Sequence, residues 1–284
     1  MGVYVYPDLN ANLVPAPAIV TDIPQRTNGS REVVLVGLIN IVATTTAYGF
    51  VYGTAANPTL SNTVVAVGTT SSAGQKYQAT VTFATGGATY YVRAYYTTAK
   101  GTTYGVQQSF VNNYAIGDSA GGGIVFYDSG TTNSWGRYLV AATDDQSAGA
   151  KWATATGTND LASIDPNVAT DYGMIPAVSG MGAGKTNQAV LMAAANTNAS
   201  GLSAYVCANY NGGGYTDWWL PSIEELRQLY AQRLVVGGFS ATLYWSSSQY
   251  TTSNAWSFSF GSGYTNYTST TKTNTSAVRA VRGL

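Results

Sequence analysis

Side chains that alternate with a period of two set the strongest limit on how this chain can fold. Near the C-terminus Trp256, Phe258 and Phe260 are separated by single serines. Successive side chains of a strand point to opposite faces, so the three aromatics share one face. In the stretch Tyr90 to Tyr96, residues Tyr90, Val92, Ala94 and Tyr96 fall on one face and Tyr91, Arg93 and Tyr95 on the other. Arg93 is easiest to place in solvent, which assigns the first set to a core. Further β-type runs are Val33 to Val42, Ala47 to Gly53 and Tyr77 to Phe83, separated at intervals of about ten residues by Gly, Asn-Pro and Lys-Gly turn signals. The expected class is mainly β with some α.

The punctuation divides the chain into three parts. Residues 1–27 carry Pro7, Pro15, Pro17 and Pro24, each of which removes a backbone donor and disfavours helix. They are expected to form an extended docking arm. Residues 28–112 read as an all-β sandwich. Residues 113–284 form a second, α+β domain. It opens on Gly117-Asp-Ser-Ala-Gly-Gly-Gly followed by the strand Ile124 to Tyr127. A phosphate-cradling glycine loop requires a helix at that point, so the glycines are read as a turn. Arg137 to Ala142 is a second strand, and Trp152 is expected to plug the core. Thr186 to Asn196 predicts a helix, with Thr186 as cap and Val190, Leu191 and Ala194 as the apolar stripe. Pro221 to Tyr230 predicts another, with Ile223, Leu226, Leu229 and Tyr230 buried. Its Ser222 and Glu225 have capping-box spacing, and Glu224 and Glu225 in the first turn suit the helix dipole.

Composition narrows the chemistry. The chain has 284 residues, 45% of them hydrophobic and only 9% charged, with a formal net charge of zero. Nucleic acid is not an expected partner, because binding it needs a positive patch that displaces counterions. The chain contains no histidine, so the commonest general base and metal ligand is missing. Its one cysteine, Cys207, forms no intrachain disulfide and is expected to be a small buried hydrophobe. Ser246, Ser247 and Ser248 supply hydroxyls, but a nucleophile needs a positioned base. No acid pair is singled out for glycosidase work. The adjacent acids Asp144 and Asp145 are a poor start on a calcium site, which needs six to eight oxygens. The N-terminus lacks the basic and apolar regions of a secretory signal, and no run is long enough to span a membrane. The sequence therefore predicts no catalytic residue, no metal site, no cofactor and no membrane insertion.

Two resemblances add to this reading. Gly49-Phe-Val-Tyr-Gly-Thr, Asn57-Pro-Thr, Ala88-Thr-Tyr-Tyr-Val-Arg-Ala-Tyr and Gly101-Thr-Thr-Tyr-Gly with Ser109-Phe110 resemble the fibronectin type III-like modules of surface proteins from gut-type bacteria and their phages. The resemblance implies a spacer in which Tyr90 is the corner tyrosine whose hydroxyl pins a loop. Gly86-Gly87 stands where that family usually has Pro-Gly. In the second domain, Gly117-Asp, Gly122-Gly-Ile-Val-Phe-Tyr, Asn187, Ala193-Ala, Tyr205, Cys207, Gly214-Tyr-Thr-Asp-Trp-Trp-Leu-Pro-Ser-Ile-Glu-Glu-Leu, Tyr244-Trp-Ser-Ser-Ser, Ala255-Trp, Gly261 and Val278-Arg-Ala-Val-Arg resemble the family typified by the C-terminal domain of the Legionella collagen-like adhesin. That family is similar to the C-type lectin fold, and in sequence style to formylglycine-generating-enzyme-like domains and to the variable proteins of diversity-generating retroelements. The resemblance implies a small twisted sheet between two helices, with ligands meeting the loops on one side. The Glu-Pro-Asn, Gln-Pro-Asp and Trp-Asn-Asp strings of calcium-dependent lectins are absent.

The functional expectation is a non-enzymatic binder. Tyrosine provides rigid amphipathic area, and Ser and Asn provide adaptable hydrogen bonds. The C-terminal stretch rich in these types supplies the candidate contact residues Gln249, Tyr250, Thr252, Asn254, Tyr264, Asn266, Tyr267, Lys272 and Asn274. Trp218, Trp219 and Trp245 are read as core residues, and Arg279 and Arg282 as partners of Asp217, Glu224 or Glu225. The expected partners are a host surface glycan or protein, other virion proteins through the arm, and further copies of the chain as a homo-oligomer. The expected location is the virion surface of a phage, with a bacterial cell surface as the alternative. A structural decoration protein is the alternative function.

Overall fold

The computed structural model describes residues 18–26, 31–41, 44–156, 180–261 and 267–284. The fold is mainly β with some α, and the chain divides into two compact units, Met1–Asn113 and Tyr114–Leu284. Most of the expected docking arm lies outside the described residues.

In the first unit two sheets close on one core. One sheet has β3 (Glu32–Ile39) at its centre, β6 (Gln75–Thr82) on one edge, and β1 (Ile19–Thr21) and β2 (Gln25–Arg26) sharing the other. Residues 19–26 of the expected arm are thus edge strands of this sheet. The other sheet runs β5 (Thr63–Gly68), β4 (Ala47–Gly53), β7 (Thr89–Thr98), with β8 (Gly101–Tyr104) and β9 (Gln108–Val111) following one another along the far edge of β7. Tyr90, Val92, Ala94 and Tyr96 do face the core, beside Leu35, Phe50, Tyr77 and Phe83. Tyr95, on the other face, is buried as well. The Tyr90 hydroxyl accepts a hydrogen bond from the Thr85 backbone N–H at 3.2 Å, which pins the loop before β7.

The second unit has its own core on both faces of its sheets. β10 (Ser119–Ala120), β11 (Gly123–Asn133), β12 (Gly136–Ala141) and β18 (Val281–Gly283) form one antiparallel sheet. The turn between β10 and β11 is Gly121-Gly122, both at positive φ, which only glycine adopts freely. A bulge in β11 buries two successive residues, Val125 in one apolar cluster and Phe126 in the other. The second sheet runs β13 (Ser147–Lys151), β17 (Thr275–Val278), β14 (Leu243–Gln249), β15 (Asn254–Ser259), β16 (Tyr267–Thr271), with β14 and β17 parallel. Trp245, Trp218 and Trp152 fill one cluster and Tyr244, Trp219 and Phe258 the other. The sequence placed all four tryptophans in the interior, and each is at most 2% exposed.

Among the described residues, four α-helices, α1 (Ala183–Ala193), α2 (Ser203–Ala208), α3 (Ile223–Ala231) and α4 (Arg233–Val236), complete the unit. The capping box at α3 forms as its spacing predicts: Ser222 Oγ accepts from the Glu225 N–H, and Glu225 accepts from the Ser222 N–H. The start of α1 differs from expectation. Thr186 lies inside the helix, and Gly182, at φ 84°, is the cap residue without a side-chain cap bond. The free N–H groups of Gly182 and Gly184 instead reach Glu225 Oε1 at 2.7 and 3.4 Å. A Cβ at position 184 would strike the Glu225 carboxylate and the Trp219 ring, so the helix start can meet them only with glycine there. The buried face of α1 also departs from the predicted stripe: Leu191 is buried, but so are Asn187 and Gln188, which bond Ser247 and the Ala204 carbonyl.

Candidate functional site

The strongest candidate lies on the sheet made by β14, β15 and β16. Asn254, Trp256 and Phe258 alternate on one face of β15, opposite Thr271, Ser269 and Tyr267 of β16. Helix α3 covers Phe258 through Tyr230, at 5.3 Å between ring centroids. Beyond that cover lies Trp256, flanked by Tyr250 at 4.6 Å and Tyr267 at 6.3 Å. Tyr267 is 38% exposed, and Tyr250 and Trp256 are half-buried. These three rings form a row that passes from the core to solvent. Burial and the nearby Glu224 carboxylate push the Tyr267 hydroxyl above the usual phenol range, so it remains a hydrogen-bond donor at neutral pH. Glu224 and Arg227 beside it are paired with each other.

The reverse face of β15 is closed. Ala255 and Ser257 are fully buried, and Ser257 Oγ bonds the Thr268 carbonyl at 3.0 Å and Thr270 Oγ1 at 2.7 Å. Ser246, Ser247 and Ser248 are also fully buried. Ser246 donates to the Trp256 carbonyl, and Ser248 accepts from the Ile223 N–H at the start of α3. Small hydroxyls let helix and strand approach closely while satisfying backbone groups that burial would otherwise strand.

Two candidate contact residues belong to the interior. Lys272 is fully buried and Gln249 is 3% exposed. The Lys272 ammonium donates to Gln249 Oε1 at 2.6 Å and to the Thr252 carbonyl at 3.0 Å, and lies 4.7 Å from the centre of the Trp152 ring. A polar sequence and a charge suggested a surface, but a buried charge is tolerable when hydrogen-bonded, and these bonds brace the turn between β14 and β15. Tyr250, Thr252 and Asn254 sit on that braced turn or at its end, Thr252 exposed and Asn254 half-buried. Asn274 is exposed in the turn between β16 and β17. Tyr264 and Asn266 lie outside the described residues. Trp256 was read from sequence only as sharing a strand face with Phe258 and Phe260, and the structure sets it at the margin of the helix cover between Tyr250 and Tyr267. Only strand pairing brings those residues together.

Several further charges are committed to structure. Arg279 is fully buried, pairs with Asp145 at 2.7 Å, and donates to the carbonyls of Ala142, Thr143, Gly237 and Gly238. Asp145 also accepts from the Tyr244 hydroxyl at 2.7 Å; burial and that bond push the Tyr244 pKa up to about 12. Asp145 is thus a counter-ion. Arg282 forms a bidentate pair with Asp217 and lies 3.9 Å from the Tyr215 ring centre, and its bonds hold the Asp217 carboxyl below the usual range. Cys207 is fully buried, and desolvation pushes its thiol far above the reactive range. Among the described residues no three acidic, cysteine or histidine side chains are grouped to hold a metal, and no helix is long and apolar enough to cross a membrane.

No curated protein is significantly similar to the chain. The model of the Lcl C-terminal domain family matches residues 141–282, half of the sequence. That span takes in the Trp218-Trp219 turn, the α3 capping box, the braced hairpin and the terminal Arg279 and Arg282 strand. By that match the chain belongs to the Lcl C-terminal domain family.

Proposed function

We propose that this protein is a non-enzymatic, surface-displayed binding protein of the adhesin type, carried on a phage virion, whose second unit holds a host-surface glycan or protein. The observation that carries this reading is the Tyr250–Trp256–Tyr267 row. It is an aromatic surface next to exposed hydroxyls and amides, backed by a fully buried hydrogen-bonded layer. Rigid aromatic area with adaptable polar neighbours suits recognition by shape and hydrogen bonding. Family membership supports an adhesin-like role, and the sheet order with helices on both faces supports a C-type lectin-like tip. In the first unit, a sheet centred on β3 packed on the β5–β4–β7 sheet, with Tyr90 pinning its loop, supports a fibronectin type III-like spacer.

The test is binding of the full chain to intact host cells and to a glycan array, beside a Trp256→Ala/Tyr267→Ala variant with unchanged circular dichroism. The expected result is cell binding that the variant loses by roughly tenfold or more, as removal of two anchor rings implies. Absence of cell and array binding would favour a structural decoration protein. Detection of the chain in purified phage particles by mass spectrometry tests the virion setting separately.

A further inference from the structure

We propose that Asn211 is a self-modifying site, where a ring closed by the chain's own backbone exchanges the side-chain amide for a carboxylate and so loosens one corner of the second unit. The reaction requires the next backbone nitrogen to reach the carboxamide carbon, and a following glycine puts no Cβ in the way. Asparagine precedes glycine at Asn28-Gly29, outside the described residues, and at Asn211-Gly212. Asn211 is exposed just beyond α2, and among the described residues its carboxamide makes no hydrogen bond. Nearby asparagines differ: Asn198 and Asn209 donate their Nδ2 to the carbonyls of Met192 and Tyr205. Ring closure needs the Asn211 ψ to turn away from 27°. The exposed turn that fixes it is held by the Gly214 N–H on the Asn211 carbonyl at 3.0 Å and by Trp218 Nε1 on the Gly212 carbonyl at 3.2 Å. Gly213 and Gly214 follow at φ 65° and 80°. Such a segment opens at a fraction of the cost of global unfolding.

The atoms balance with water as the one co-reactant. The Gly212 nitrogen attacks Asn211 Cγ, a nitrogen–carbon bond forms, the Cγ–Nδ2 bond breaks, and the amide hydrogen leaves with Nδ2 as ammonia. Nothing is oxidised or reduced. Both groups belong to adjoining residues, so the step is intramolecular and needs no added catalyst. Water then opens the cyclic imide at either carbonyl. One opening leaves an aspartate; the other leaves an isoaspartate, with the main chain lengthened by the former side-chain methylene. Either product carries a new negative charge. The lengthened chain meets a contact without slack. A Cβ on Gly122 would strike the Gly212 carbonyl and Gly213 Cα, so the β10–β11 turn and this loop touch backbone to backbone. The same Gly212 carbonyl holds Trp218, which is 2% exposed. An added methylene displaces that carbonyl from both.

Peptide mapping by mass spectrometry of the full folded chain, stored warm at pH 6 and at pH 8, tests this beside an Asn211→Gln variant, whose longer side chain closes the ring far more slowly. The map reads Asn28 as a separate peptide. The expected result is conversion of Asn211 to aspartate and isoaspartate, several-fold faster at pH 8, where the attacking amide loses its proton more readily. Storage is expected to lower the melting temperature of the wild type and to leave that of Asn211→Gln in place. An Asn211 that stays intact in the folded chain, while the same chain stored in urea converts it, overturns the site. Equal loss of stability in the wild type and Asn211→Gln overturns its structural consequence.

Discussion

Glu225 ties the starts of α1 and α3 to the Trp219 ring. It is fully buried, has no cationic partner among the described residues, and its two oxygens take four N–H groups: Gly182 and Gly184 on one, Ser222 and Trp219 Nε1 on the other. Burial pushes its pKa from 4.5 up to about 7, against the Ser222, Trp219, Gly182 and Gly184 donors that hold it down. A carboxyl that binds its proton more tightly when folded adds stability below its unfolded pKa and loses it as the pH climbs through the folded one. The contribution therefore declines between about pH 4.5 and pH 7, by roughly 3 kcal/mol in all at about 1.4 kcal/mol for each tenfold change in proton affinity. Glu225→Gln turns amide hydrogens toward N–H donors. It is expected to cost roughly 1–3 kcal/mol at neutral pH and to flatten that pH slope. Urea denaturation at pH 5 and pH 8 measures both effects; an unchanged slope in the variant would assign the pH dependence elsewhere. From sequence Glu225 was legible as a capping residue three positions after Ser222. Its hold on α1 was not, because Gly182 lies 43 residues away and only the fold brings it within reach.

At the scale of elements, local signals served best where local physics decides the outcome. β4 spans Ala47–Gly53, the same bounds as the β-type run in the sequence, and α3 begins at its capping box. Ser222→Ala removes that cap and the bond from Ser222 Oγ to the Gly180 carbonyl, and is expected to cost about 1–2 kcal/mol. Tyr90→Phe keeps the ring in its cluster and removes only the bond to Thr85, at an expected cost of about 1 kcal/mol. Thermal melts of both variants check these values, and a Tyr90→Phe protein as stable as the parent would deny the hydroxyl its pinning role. Local signals failed for α1, whose cap comes from another helix. They also failed for the Gln249–Lys272 brace, where polar residues within polar sequence looked exposed. Their burial follows from contacts distant in sequence: Lys272 lies over the Trp152 ring and bonds Gln249 and the Thr252 carbonyl. A period-two pattern shows which residues share a face and does not show whether a helix lies on it. For the same reason Tyr250, Trp256 and Tyr267 could not be recognised as one row before pairing was known.

At the scale of the whole molecule, the two units close separate cores. The first packs Leu35, Phe50, Tyr77, Phe83 and Tyr90 together; the second builds on Trp152, Trp218, Trp219, Tyr244 and Trp245. Among the described residues, each core is built from its own unit. A domain with its own core carries its own cooperative transition, so calorimetry of the full chain is expected to show two. The variants discussed above then act as labels. Tyr90→Phe is expected to lower the transition of the first unit, and Glu225→Gln that of the second, each by several degrees for a cost of about 1 kcal/mol or more. Only the transition that responds to Glu225→Gln should move between pH 5 and pH 8. A single transition shifted by both variants would mean that the units unfold together, so that a change in the first unit would also disturb the second. Two independent transitions would allow the proposed contact surface around Tyr250, Trp256 and Tyr267 to be altered, residue by residue, without loss of the first unit.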